Sequence, residues 1–202
     1  MVLRGSIEEE KQAVLNSKMT STCRMAEDSL ASFIELLQKR RSIRAFQSRE
    51  FDISNVLEAI LQVCDMAPSS GGLQTFEVYL VENAEKKRQL VAASKDQSFV
   101  AQAPLLLVFC ANASHSVHKF GERSQLFSVQ DATIATAYAQ LAVYAIGLTT
   151  VWTGAFDENR VSQILDLPKE HRPVAMLPIG YPDELPKDKT TRGAKDLLRT
   201  IQ

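Results

Sequence analysis

Arg40-Arg41-Ser42-Ile43-Arg44 places three guanidiniums and a hydroxyl in one short run, where a helical pattern gives way to extended chain. Arginine forks match phosphate oxygens two at a time, so this block suits a phosphorylated ligand. Cations at a solvated helix C-terminus, favoured there by the helix dipole, are the plainer reading of the same residues. Pro68-Ser69-Ser70-Gly71-Gly72-Leu73-Gln74 offers hydroxyls, free backbone N–H groups and a side-chain amide. Its glycines permit close approach, which fits a heteroaromatic edge, although a simple turn has the same composition. Trp152-Thr153-Gly154-Ala155-Phe156-Asp157 puts small residues between a strand and a helix capped by Asp157, so that backbone N–H groups can face a ligand. Lys187, Lys189, Arg192, Lys195 and Arg199 form a second basic cluster near the C-terminus, readable also as a solvated tail.

Other chemistries lack their signatures. There is no G-x-G-x-x-G, P-loop, G-x-S-x-G elbow or H-E-x-x-H. His115 and His118 could offer two metal ligands, but no partner cluster accompanies them, so no metal site is expected. Asp131 stands alone in an apolar stretch, which suits a buried acid, but at the start of a helix it reads rather as an N-terminal cap or dipole partner. Cys23, Cys64 and Cys110 are far apart and odd in number, which suits neither a disulfide framework nor a zinc site and points to a reducing, cytoplasmic compartment.

The elements that must position these groups follow from periodicity. Leu30, Phe33, Ile34 and Leu37 mark an amphipathic helix ending near Arg40. Ile53, Val56, Leu57, Ile60, Leu61 and Cys64 mark a second, after Asp52 and before Pro68. Alternation from Phe76 through Val78 and Leu80 predicts a strand with one buried face, and residues 84 to 94 a polar helix. The continuous apolar run Leu105 to Cys110, opened by Pro104, predicts a strand covered on both faces; 149–153 and 174–179 read similarly. Asn112 to Ser128 is the least patterned internal piece, a lid or a surface connection, and carries Phe120 and Phe127 as a substrate platform or as packing. The charge-free stretch Ala132 to Phe156 is diluted by threonines and broken at Gly147. It reads as a buried helix followed by a strand, not a membrane span. Ala132, Ala135, Ala137, Ala139, Ala142 and Ala145 let other elements approach that helix closely.

Interleaved helices and strands make the class α/β or α+β around one core. With 202 residues, 45% of them hydrophobic, the chain can bury a sizeable interior. A net charge of -1 excludes the basic footprint of a nucleic-acid binder. Residues 1–28 read as a loosely held extension, with the functional chain beginning near Met25, and residues 29–202 as a single domain.

Taken in order, R-R-S-I-R at 40–44, A-P-S-S at 67–70, L-Q at 73–74, A-P with its strand at 103–109, G-L at 147–148, G-A-F-D at 154–157, I-L-x-L-P at 164–168, I-G-Y-P at 179–182 and Arg192 resemble the nitroreductase family of FMN-dependent, NAD(P)H-using oxidoreductases. The resemblance runs from about Phe33 to Leu198. It implies an α+β, three-layer fold with a mostly antiparallel central sheet flanked by helices, assembled as an intertwined homodimer with FMN at the interface. By position, Arg40, Arg41, Ser42 and Arg44 would contact FMN, with Arg40 and Arg192 nearest its phosphate and Arg44 near N1. Pro68, Ser69, Ser70 and Gln74 would come from the partner subunit. Thr153, Gly154 and Ala155 would lie against the flavin, the last two offering backbone N–H to N5, and Gln97 would reach the pyrimidine edge.

The implied activity is hydride transfer from NADH or NADPH through flavin N5 to a nitroaromatic, quinone or similar small acceptor, by a ping-pong mechanism in which the flavin carries the redox chemistry. A reductive dehalogenase, a flavin-fragmenting enzyme and a non-catalytic flavin binder are the alternatives on the same fold. The chain departs from the family pattern at Gly72, where many members have Asn, at Thr75-Phe76, where they have Pro-Trp, and at Thr190, where some have a second phosphate cation. Weaker flavin retention is the expected consequence.

Overall fold

The computed structural model describes residues 27–201, in two units that divide between Arg40 and Arg41. The expected extension, with Met25 and Cys23, therefore lies outside the described residues but for positions 27 and 28. In the first unit, residues 27–39 form helix α1, on which Leu30, Phe33, Ile34 and Leu37 keep their helical spacing and are all exposed.

The second unit is built on a four-stranded antiparallel sheet. Its strands are β1 (Phe76–Leu80), β2 (Leu105–Asn112), β3 (Thr149–Thr150) and β4 (His171–Gly180), in the order β1-β2-β4-β3. The unbroken apolar run in β2 has a direct cause: every residue of that strand is buried. Leu106, Val108 and Cys110 pack on one face with Leu90, Val100 and Val161; Leu105, Leu107 and Phe109 pack on the other with Ile60, Ala135, Ala139 and Val143. Helices α2 (Ile53–Asp65) and α6 (Ser124–Ala145) supply the second of these layers. Helices α3 (Ala84–Ala93), α4 (Phe99–Gln102) and α7 (Glu158–Leu165) supply the first. This is the three-layer α+β arrangement that the resemblance implied.

Local chemistry sets the helix ends. Asp52 accepts from Asn55 N–H at 3.1 Å and Asn83 from Lys86 N–H at 3.0 Å, each satisfying an amide that its helix leaves without a partner. Helix α6 ends in a Schellman turn. Gly147 takes φ +81°, its N–H donates to Tyr144 O at 3.0 Å, and Leu148 N–H reaches back to Val143 O at 3.0 Å. The small faces of Ala135, Ala139 and Ala142 are buried toward α2, where Cys64 Sγ comes within 3.6 Å of Ala135 O.

Three expectations are corrected. Helix α6 begins at Ser124, well before the apolar run, because Ser124, Ser128 and Asp131, though polar, fall at helical spacing on its buried face. Asn112 to Ser128 is not irregular: short helical turns at Ala113–His115, Val117–Phe120 (α5) and Gly121–Arg123 lead into α6. Strand β3 is only two residues long, the chain rejoining the sheet at Thr153 opposite Met176. No helix among the described residues is long and apolar enough to cross a membrane.

Candidate functional site

The arginine-bearing segment is fastened at a sheet edge by its backbone. Ile43 N–H donates to Thr150 O at 3.2 Å, Gln47 N–H to Tyr181 O at 3.0 Å, and Asp183 N–H to Ala45 O at 2.9 Å. The Glu184 carboxylate accepts from Arg44 N–H. Ile43 and Phe46 are buried, while Arg44 is exposed. The Arg44 guanidinium has no partner among the described residues. Arg41 and Ser42 are half-buried beside it, Ser42 bridging to Thr150. Arg40 is the half-buried last residue of the first unit.

The same edge carries the 153–157 turn. Thr153 exchanges two backbone hydrogen bonds with Met176, at 3.0 and 2.9 Å, and the chain then leaves the sheet. Gly154 and Ala155 are exposed, and their N–H groups donate to nothing among the described residues. A Cβ on Gly154 would lie 3.0 Å from Trp152 Nε1, so the turn curls tightly over the indole. Gln97 Nε2 donates to Ala155 O at 3.2 Å and to Ser94 O at 2.6 Å, and Asp157 N–H donates to Ala93 O at 2.9 Å. Asp157 caps α7, as its position predicts, accepting from Arg160 N–H at 3.0 Å. Ser42, Arg44, Gln97, Thr153, Gly154 and Ala155 are thus linked through β3, β4 and the end of α3. Two exposed amides and an exposed arginine along one sheet edge offer donors to an electron-rich heteroatom or anion.

The 68–75 loop is assembled differently, on the α2/α6 layer. Gly71, Gly72 and Gln74 take left-handed φ of +62°, +72° and +47°. Ser69 Oγ accepts from Gln74 N–H at 3.0 Å, while Gln74 Nε2 is turned to Asp65, donating to its backbone O at 2.9 Å and its Oδ1 at 3.0 Å. Behind the loop lies Asp131, 2% exposed. Its Oδ1 accepts from Ser70 N–H and Ser70 Oγ–H, both at 2.9 Å. Its Oδ2 accepts from Thr75 Oγ1–H at 2.6 Å and Thr75 N–H at 3.3 Å. Asp131 is therefore not the helix cap its sequence position suggested: α6 starts earlier, and the carboxylate projects from mid-helix into the loop. Thr75 uses both its N–H and its hydroxyl, two groups that a proline would lack.

Phe120 and Phe127 meet edge to face, centroids 5.1 Å apart, and both are half-buried. Lys119 lies over Phe120 at 5.3 Å and Arg123 over Phe127 at 4.7 Å. A Cβ on Gly71 would fall 3.1 Å from Phe120 Cζ, so the aromatic pair borders the loop. A cavity of about 570 Å³ opens beside it, lined by Pro68, Ser69, Ser70, Gln130, Asp131 and Ile134 among others.

Arg192 stands exposed beyond β4, without a partner among the described residues. His115 is tied to a network with no local signature in the sequence. Asn112 Nδ2 lies 2.9 Å from Glu77 Oε1, 3.1 Å from His115 Nε2 and 3.0 Å from His171 Nε2, and His171 Nδ1 is 2.5 Å from the Tyr79 hydroxyl. Among the described residues no cluster of His, Cys, Asp or Glu is arranged to hold a metal ion. Burial pushes the Cys64 and Cys110 thiols up to about 12, which makes them packing groups rather than nucleophiles.

Comparison with known proteins agrees with this geometry. The chain is 30% identical, over 82% of its own length and 82% of the relative's, to a protein of Methanothermobacter thermautotrophicus assigned as an NADH dehydrogenase/NAD(P)H nitroreductase. It is 32% identical to the FMN reductase (NAD(P)H) of Bacillus subtilis, covering 74% of this chain and 65% of that one. The solved NADPH:FMN oxidoreductase of Vibrio harveyi, complexed with NAD+, superposes with a TM-score of 0.76 at 26% identity, covering 84% of this chain and 76% of that one. The nitroreductase family model matches residues 37–108 and 92–181. With its three-layer fold and its sheet-edge donors in place, the chain belongs to the nitroreductase family.

Proposed function

We propose that this protein is an FMN-dependent oxidoreductase that takes reducing equivalents from NADH or NADPH and passes them to a nitroaromatic, quinone or similar small acceptor. The observation that carries this reading is the pair of exposed amides at Gly154 and Ala155 which, like the Arg44 guanidinium on the same sheet edge, have no partner among the described residues. That donor set fits a flavin: amides suit a ring nitrogen and carbonyl edge, and a guanidinium suits a site that becomes anionic on reduction. FMN, when bound, supplies hydride acceptance and donation, and the protein is left with position and electrostatics.

Each residue group then has a task. Arg44 favours the reduced cofactor by its charge. Arg41, Ser42 and Arg192 hold the phosphate and neighbouring polar groups. Gln97 steadies the Ala155 peptide from behind, through the 3.2 Å bond to its carbonyl. Thr153, locked to Met176, fixes where the turn leaves the sheet. Pro68, Ser69, Ser70 and Gln74 close the site from a second copy of the chain, so the working unit is a homodimer. Phe120 and Phe127, bordering that loop, form an apolar wall for the acceptor.

A spectrum tests the reading. Purified protein incubated with FMN and desalted should retain flavin absorbance, lose it on addition of NADH or NADPH under argon, and recover it when a nitroaromatic or quinone is added. Retained flavin that neither donor bleaches would favour a non-catalytic flavin binder. No change in FMN fluorescence on titration with the protein, together with no flavin-dependent NADH or NADPH oxidation, would overturn the proposal.

A further inference from the structure

We propose that Asp131 is a positioning residue that sets flavin affinity from behind the 68–75 loop, through Ser70 and Thr75, without touching the cofactor. The proposal rests on the flavin reading above and adds a determinant that no sequence motif marks. A carboxylate that is 2% exposed needs compensation. No cation pairs with Asp131 among the described residues, and all four of its donors come from the loop: the N–H and hydroxyl of Ser70 and the N–H and hydroxyl of Thr75. The charge and the loop conformation are thus mutually dependent.

The clamped span is also where the backbone is least able to hold itself. Between the two anchors, Gly71, Gly72 and Gln74 all adopt positive φ, and Gln74 does so with a side chain. Released from Asp131, this stretch has many competing conformations.

The clamp also decides hydrogen-bond polarity. The single hydroxyl hydrogen of Ser70 is directed to Asp131, so toward the cavity its oxygen can only accept. Ser69 Oγ accepts from Gln74 N–H and keeps its own hydrogen to donate. The acceptor at 70 is therefore fixed by a residue on another element, and the donor at 69 by an amide of the loop that this residue holds in shape.

The test uses full-length protein and FMN itself. In Asp131→Asn an NH2 group faces loop N–H and O–H donors; in Thr75→Val one hydroxyl is removed with little change of shape. The FMN dissociation constant, measured by fluorescence quenching well below the melting temperature, should rise about tenfold or more in Asp131→Asn and by a smaller factor in Thr75→Val. Adding Thr75→Val to Asp131→Asn should give less than the product of the two effects, because both act through one carboxylate. Without FMN, amide exchange at Ser70 and Thr75 should accelerate in both variants. A purely structural role would lower the melting temperature and leave the dissociation constant of the folded protein within about twofold of the parent, a result that overturns the proposal. If Asp131→Asn does not fold, Thr75→Val decides by the same criterion. If the parent binds no FMN, the flavin reading itself fails, and unchanged exchange rates would independently overturn the clamp.

Discussion

Segment 41–47 and loop 68–75 both present polar groups at the surface, yet opposite layers and different forces hold them in place. The first is fastened through backbone hydrogen bonds to β3 and the chain beyond β4, and its neighbouring turn rests on the α3/α4/α7 layer. The second hangs on the α2/α6 layer through the side chains of one buried carboxylate, two hydroxyl residues and a glutamine. Backbone fastening is spread over many bonds and tolerates side-chain change. Side-chain fastening concentrates the outcome on Asp131. The two regions should therefore respond to substitution very differently.

The largest effect is expected from Asp131→Ala. It leaves the N–H groups of Ser70 and Thr75 without their acceptor, at a cost of about 3–5 kcal/mol if the loop does not rearrange to water. A urea titration would report this as a lowered midpoint. An unchanged midpoint would mean that the loop does not depend on the carboxylate.

Gly180→Ala is the matching strike at the sheet edge. The new Cβ would stand 2.9 Å from Pro104 Cδ and 3.2 Å from Phe46 Cδ1, and neither ring is a loose side-chain end. Overpacking of this kind costs about 1–3 kcal/mol, and it should displace Phe46 with segment 41–47. Thermal melting and the fluorescence of added FMN would show both consequences. Gly71→Ala should cost less, about 1 kcal/mol for a side chain at φ +62°, since the nearest atom, Lys119 Nζ, can swing away. Its effect should appear mainly in FMN affinity.

The smallest effect sharpens the comparison by reporting on each layer separately. Cys64 lies in the α2/α6 layer and Cys110 on the opposite face of the sheet, both raised to about 12 by burial. The folded protein keeps these protons at pH values where the unfolded chain, with thiols near 9, has lost them. Their contribution to stability is thus complete below about pH 9 and lost as pH rises toward 12. Melting temperature should fall over that range, and less steeply when both cysteines are replaced by alanine. At pH 8, thiol labelling should be slow at both, and Asp131→Ala should accelerate it at Cys64 more than at Cys110.

Much of the sheet-edge half was legible in the sequence because its signals are local. The Asp157 cap, the apolar run of β2 and the small residues at 154–155 each carry their own physics within a few positions. The loop half was legible only as composition. Ser69, Ser70 and Gln74 could be picked out, but their partners lie elsewhere in the chain: Ser70 binds Asp131, and Gln74 turns to Asp65. Asp131 was misread for the same reason. A lone acid before an apolar run looks like a cap, and only tertiary packing reveals that the polar residues ahead of it already belong to the helix. The Tyr79–His171–Asn112 network, assembled from three strands, had no local signature.

The central claim is that a working site combines the sheet edge of one chain with the loop of another. It is tested most directly by mixing Arg44→Ala and Asp131→Asn under conditions that allow subunits to exchange, at an FMN concentration that saturates the parent but neither variant. In a two-fold dimer each mixed molecule carries one site with both lesions and one with neither, so about a quarter of all sites, and of parental NAD(P)H oxidation, should return. Activity that stays at the level of the two variants, while gel filtration shows exchange, would place both halves in one chain and contradict the account.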